Sequence, residues 1–280
     1  MREGRDMGRP DGRRLKTIPP FLKIIPYIMP RRYDAVNLIS VDFPYDKVAA
    51  YIDDRKRRGQ SISLMACILA AYIRTAAKYP EINRFVISKK IYARHGIWIS
   101  FVTLKDNWSG EGERDETVSK LRFTGYETID EISKIIDETI ERNRNKRNMN
   151  SIDRLLKAIF ATPLLPSAIV SLLKFLDKLG LLPRKIIEAS PFHTSVFFTN
   201  MASIRAYPIY HHIYDFGSTG AFISLGMDIN KRKAYRMKVS TDERLCNGSS
   251  YVRAMHYFFR NLRHPEFLET PPGSVNKDIH

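Results

Sequence analysis

Cysteine is nearly missing: Cys67 and Cys246 are the only two in 280 residues, far apart and each in an apolar context. That excludes a disulfide framework and favours two buried thiols in a reducing cytoplasm. Histidine is sparse as well, at seven, and no Cys/His cluster has the spacing of a metal site. Long apolar runs are also lacking. Pro19, Pro20 and Pro26 interrupt Ile18 to Met29, so the basic N-terminus has no signal-peptide core. Ala158 to Leu173 is uncharged, but Pro163 and Pro166 break it and Lys157, Lys174 and Asp177 flank it. It falls short of the roughly 18–20 uninterrupted residues a bilayer span needs. For the stretch 152–187 the first reading is helices that cover a sheet or pack between subunits, and the second is contact with a membrane interface. Acidic residues are in deficit, 30 against 46 Lys and Arg. The resulting field suits anionic partners: nucleic acid, acidic lipid or a polyphosphate cofactor. No nucleic-acid motif accompanies it, so no specific nucleic-acid partner is expected.

What is present divides the chain into a basic, mobile arm over 1–17, a body over 18–270 and a tail over 271–280. Val36 to Val41 is strand-like, and Asp46 to Arg58 is helical up to Gly59. Ser61 is placed to cap an apolar helix from Ile62 to Lys78 that ends at Pro80. It has too many apolar residues for one exposed stripe and should be central to the core. Phe85 to Ser88, Ile91 to Arg94 and Ile97 to Leu104 read as strands, and Asn107 to Glu116 as a polar loop. Thr128-Ile129-Asp130-Glu131 is a capping box for a helix to about Asn145, with Ile132, Ile135, Ile136 and Ile140 on one face. Thr194 to Thr199, Ala221 to Leu225 and Tyr235 to Thr241 complete the strands. Ser249 to Arg263 is a final amphipathic helix.

Between the last strand and that helix stands Thr241-Asp242-Glu243-Arg244-Leu245-Cys246-Asn247-Gly248. It resembles Asp-His-Arg-Val-Val-Asp-Gly of the acyltransferase cores of 2-oxoacid dehydrogenase complexes, within the chloramphenicol acetyltransferase-like superfamily. Glutamate stands where that motif has histidine, and asparagine where it has aspartate. Two further stretches resemble the same group. Tyr79-Pro80-Glu81-Ile82-Asn83 is similar to its Pro-Glu-[Ile/Val]-Asn helix end. Ser195-Val196-Phe197-Phe198-Thr199-Asn200, Pro208-Ile209 and Ile223-Ser224-Leu225-Gly226 are similar to its Thr-Ile-Ser-Asn, Pro-Ile-Ile and Ile-Leu-Gly runs. The resemblance spans about residues 31–268. It implies an α/β fold with a mixed sheet flanked by helices, a trimer with active sites between subunits, and coenzyme A or acyl-coenzyme A as the thioester partner. Residues 18–270 would be the catalytic domain, and with no lipoyl domain ahead of it the chain reads as a stand-alone relative. Arg31 or Arg32 would be the early arginine that pairs with the motif aspartate.

By the same resemblance Glu243 would be the base, Thr199 the oxyanion donor and Asn247 the residue that shapes the loop. The reaction needs a base matched to neutral pH and a donor aimed at the oxyanion. A free glutamate, near about 4.3, is more acidic than that task asks, and only desolvation would raise it. Three readings therefore stand side by side: a coenzyme A-dependent acyltransferase with an altered site, an inactive trimer that serves as scaffold or ligand-binding protein, and, third, a basic membrane-surface or nucleic-acid-binding protein. His211 or His212 could reach a relocated site, with His193 a weaker candidate. Cys246 is read as packing. Arg142, Arg144, Lys146 and Arg147, and the turn Lys231-Arg232-Lys233, are either phosphate contacts or solvated surface.

Overall fold

Runs rich in Val, Ile, Phe and Thr supply the strands, because such side chains suit a pleated, half-buried surface. In the computed structural model, which describes residues 9–104, 116–144, 161, 165–228 and 234–280, they form two sheets. The smaller is antiparallel, with β4 (Lys90–Arg94) between β1 (Gly12–Arg14) and β3 (Phe85–Ile87). The larger has six strands in the order β2 (Val36–Asp42), β9 (Tyr235–Asp242), β8 (Ala221–Met227), β7 (Val196–Asn200), β5 (Ile97–Leu104), β6 (Glu116–Phe123). Its pairing is mixed: β5, β7 and β8 run parallel, while the outer pairs are antiparallel.

The central helix is α3 (Leu64–Lys78), buried from Met65 through Ala77. Ile68, Leu69 and Ile73 share one core with Ile99, Val196, Phe198, Ile223 and Val239 from the same face of the large sheet. The cap of α3 is Ser63, whose Oγ accepts from the Ala66 amide at 3.1 Å; the expected cap at Ser61 is two residues early. Thr128 and Glu131 form the predicted capping box. The Thr128 amide donates to Glu131 Oε2 at 2.8 Å, and the Glu131 amide to Thr128 Oγ1 at 3.3 Å. They open α4 (Ile129–Arg144), whose Ile132 and Ile136 enter the core.

Other expectations are corrected. The arm over 1–17 is part of the fold from Arg9 onward. β1 pairs with β4, Leu15 is buried, and Arg9 forms a buried ion pair with Asp177 at 2.5 Å. The N-terminal apolar run, to which the sequence assigns no element, is a short helix. Pro20 begins α1 (Pro20–Ile28), where its missing N–H costs nothing, and Pro26 is buried within it. Strand β6 was not anticipated; its charged residues lie along a sheet edge. In the 152–187 stretch the described helices are α5 (Leu165–Leu179) and α6 (Arg184–Ala189). Lys146, Arg147, Lys231, Arg232 and Lys233 lie outside the described residues, as does nearly all of the expected loop from Asn107. Among the described residues no helix is long and apolar enough to cross a membrane.

The second face of the large sheet has a different cover. Phe197 and Phe222 stack at 4.9 Å and pack with Ile213 from the segment 205–220. That segment is tied down where Pro208 meets Gly226. A Cβ on Gly226 would stand 2.1 Å from Pro208 N, so only glycine lets the two backbones approach.

Candidate functional site

Asn247 turns the chain from β9 into α7 (Gly248–Arg263). Its Oδ1 accepts from the Ser250 amide at 2.8 Å, which satisfies an otherwise unpaired helix N–H. Glu243 lies four residues earlier, in the short turn Glu243–Leu245, with an exposed carboxylate. Arg244, next to it, points the other way. It is buried against Asp242, with Nε–Oδ1 2.8 Å and Nη2–Oδ2 2.7 Å, and also donates to the Met29 carbonyl. It does not meet Glu243.

Glu243, Asn247 and Gly248 face a cavity of about 910 Å³. Tyr79, Pro80 and Glu81 line the same cavity, so two sequence landmarks some 160 residues apart converge on it. Arg84 joins them. Its Nη1 donates to the Leu245 carbonyl at 3.2 Å, while Nε and Nη2 hold Asp278 at 2.7 and 2.6 Å. Through this pair the tail forms another wall of the cavity, from Asn276 to Ile279. Asn276 is fixed in turn by the carbonyls of Ala77 and Lys78, at 2.8 and 2.6 Å. Arg84 follows Asn83 directly and could have been singled out by that position, whereas nothing in the sequence marked Asp278.

Arg31 and Arg32 do not pair with Asn247. Arg31 bonds Tyr33 at the surface. Arg32 is buried and donates to the carbonyls of Thr219, Val86 and Gly217, at 2.7, 3.1 and 2.5 Å. Burial pushes it down to about 10. Asparagine carries no charge for an arginine to answer, and Arg32 satisfies backbone oxygens instead.

Thr199 is elsewhere in the protomer. The ladder sets Thr199 opposite Ser224 and Ser224 opposite Lys238, five residues before Glu243. Glu243 is thus about 16 Å further along the strands and two strand spacings, about 10 Å, across. The Thr199 side chain lies on the face away from α3, beneath the 205–220 segment. There its Oγ1 is 3.1 Å from His211 Nε2. His211 stacks on Phe222 at 5.1 Å, and burial lowers its pKa below the ordinary imidazole value. The adjacent His212 is exposed. His211 is therefore the histidine of the pair that reaches a predicted site residue.

His193 and Cys246 serve structure. His193 is buried between Ser190 Oγ (3.0 Å) and Asp177 (3.3 Å), and burial lowers it despite the favourable Asp177 charge. Cys246 is half-buried, and burial pushes its thiol up to about 12, far from a nucleophile's range. Both cysteines are free. Among the described residues no group of His, Cys, Asp and Glu could hold a metal ion.

No protein-family model matches the chain, and no curated protein matches it in sequence. Solved structures do match its fold. A probable dihydrolipoamide acetyltransferase from Listeria monocytogenes aligns with TM-score 0.53 at 12% identity, covering 93% of this chain and 98% of that one. The dihydrolipoamide acetyltransferase of Azotobacter vinelandii aligns with TM-score 0.54 at 10% identity, over 91% and 93% of the two chains. In that enzyme a serine, a histidine and an asparagine four residues after the histidine were investigated for roles in the catalytic mechanism. The cubic core of a pyruvate dehydrogenase complex aligns with TM-score 0.50 at 12% identity, over 91% and 93%. The chain has the fold of 2-oxoacid dehydrogenase acyltransferase cores, as the three sequence stretches had implied.

Proposed function

We propose that this protein is a coenzyme A-dependent acyltransferase whose site is completed between protomers of a trimer. The observation that carries the proposal is the convergence of Tyr79, Pro80 and Glu81 with Glu243, Asn247 and Gly248 on one cavity, bridged by Arg84, in an acyltransferase-core fold. A cubic assembly contains threefold axes, and a similar fold builds one. A threefold arrangement lets Thr199 of one protomer approach Glu243 of the next, which the spacing within one chain forbids.

The cavity's charges suit a phosphate-bearing thioester. Asp242 and Asp278 are neutralised by Arg244 and Arg84, while Lys78, Arg253 and Lys277 line the wall beside the N-terminus of α7. These residues would hold the phosphates of acyl-coenzyme A, whose thioester supplies the activated acyl group. Asn247 keeps the loop in shape as the helix cap, the spacing it shares with the asparagine of the Azotobacter enzyme. Glu243 takes the acceptor's proton as the acceptor attacks the thioester carbonyl, and returns it to the departing coenzyme A sulfur when the C–S bond breaks. Burial by the neighbouring protomer provides the desolvation a carboxylate base requires. Thr199 donates to the oxyanion. With its Nε2–H tautomer His211 donates to Thr199 Oγ1 and leaves the threonine hydrogen free for that task. The free thiols favour a cytoplasmic setting.

A second reading, an inactive trimer that binds a ligand or acts as scaffold, draws on the exposure of Glu243 in the single protomer. Acetyl transfer from acetyl-coenzyme A to dihydrolipoamide, followed by chromatography of the free coenzyme A and S-acetyldihydrolipoamide formed, separates the two. Turnover that falls about 100-fold or more in Glu243→Gln and in Thr199→Val, with coenzyme A affinity by calorimetry retained, supports the enzyme. Coenzyme A binding with no turnover supports the scaffold, and unchanged turnover in Glu243→Gln removes the base.

A further inference from the structure

The outer faces of α1 and α5 expose large apolar side chains. On α5, Leu165, Ala168, Leu172, Phe175 and Leu179 are exposed at alternating spacings of three and four residues, which makes a single stripe. On α1, Phe21, Ile24, Tyr27 and Ile28 are exposed, Phe21 by 78%. The two faces meet at the turn between β3 and β4. Lys89 Nζ lies 5.1 Å from the Tyr27 ring, and Ser88 Oγ donates to the Lys178 carbonyl at 2.9 Å. A joined patch of this kind marks an interaction surface and is unlike apolar residues scattered singly.

The charge around the patch has one sign. Lys23 on α1, Lys89 and Lys90 on the turn, Lys178 on α5 and Lys185 beyond it are all exposed. Asp177, the one carboxylate of α5, turns inward, where Arg9 and His193 meet it. Glu188 is paired with Arg184 at 2.7 Å, and no acidic residue occurs between Asp11 and Asp34. A protein partner of mixed charge would leave these lysines largely unanswered, whereas a plane of phosphate headgroups answers all of them at once.

We infer that this surface docks on an anionic lipid bilayer. The apolar side chains enter the acyl–headgroup boundary and the lysines sit among the headgroups. Leu22 and Ile25 of α1 belong to the wall of the large cavity, so docking brings that cavity beside the membrane. The inference does not depend on acyl transfer and stands or falls separately from it.

Flotation of the full chain with vesicles of phosphatidylcholine and phosphatidylglycerol in equal parts, against pure phosphatidylcholine, tests the inference. The protein is expected on the anionic vesicles only, and less of it at high salt. Lys178→Glu with Lys185→Glu should weaken binding by about thirtyfold or more. Leu172→Glu with Phe175→Glu should abolish it while the urea midpoint is kept; Leu172→Ser with Phe175→Ser serves if the glutamates unfold the chain. No enrichment on anionic vesicles overturns the proposal, as does undiminished binding by these variants. It is equally overturned if sedimentation shows the wild type assembling through this face and the Leu172 and Phe175 variants coming apart, since the patch would then be an interface between copies.

Discussion

Arg244 donates two side-chain hydrogen bonds to Asp242, the two side chains 2% and 1% exposed, directly beside the exposed Glu243. Removal of one partner of such a pair leaves a buried charge without compensation. Asp242→Asn should therefore lose about 3–5 kcal/mol of stability in urea titration, whereas Glu243→Gln should not lower the midpoint. Buried histidines give a second handle. His193 and His211 are both held below the ordinary value of about 6.5 by burial, which the Asp177 charge opposes at His193. Below that pH the unfolded chain binds more protons than the folded one, so stability falls as pH drops through the window under about 6.5. Urea midpoints at pH 7.5 and 5.5 should differ in that direction, and His193→Gln should narrow the gap.

Among the elements, α7 and the Pro208–Gly226 crossing carry the sharpest expectations. Asn247→Ala deletes the α7 cap and should cost about 1 kcal/mol, whereas Asn247→Asp keeps the capping oxygen and the stability. Activity measured on both variants then separates loop shape from any chemistry of the amide. At Gly226 an added methyl would meet the Pro208 backbone, which has no flexible end to move aside. Gly226→Ala should lose about 1–3 kcal/mol or more by thermal or urea denaturation, and with it the seat of the segment that brings His211 to Thr199.

For the whole molecule the decisive quantity is how Thr199 and Glu243 come together. If each site takes Thr199 from one protomer and Glu243 from the next, Thr199→Val and Glu243→Gln chains are inactive separately but complement one another. Equal mixing during assembly leaves roughly one site in four with both native residues, because each is supplied independently at half frequency. Co-expression of two distinguishably tagged variants should thus recover about a quarter of wild-type turnover. Recovery of none would mean that the two residues never share a site.

Much of this was legible locally. The apolar surplus of α3 marked the central helix, the Thr128–Glu131 pair fixed the start of α4, and the Glu243–Gly248 frame lay where a strand hands over to a helix. These features depend on side-chain periodicity and on backbone donors within a few residues, so a linear text records them. The partners of Arg32, Arg84 and Arg9 were not legible: they are carbonyls and carboxylates up to 194 residues away, chosen by packing. Strand order was decided in the same way. Register across β7, β8 and β9 sets Thr199 and Glu243 at opposite ends of the sheet, since pairing between distant strands follows the shape of the whole core and no local pattern announces it.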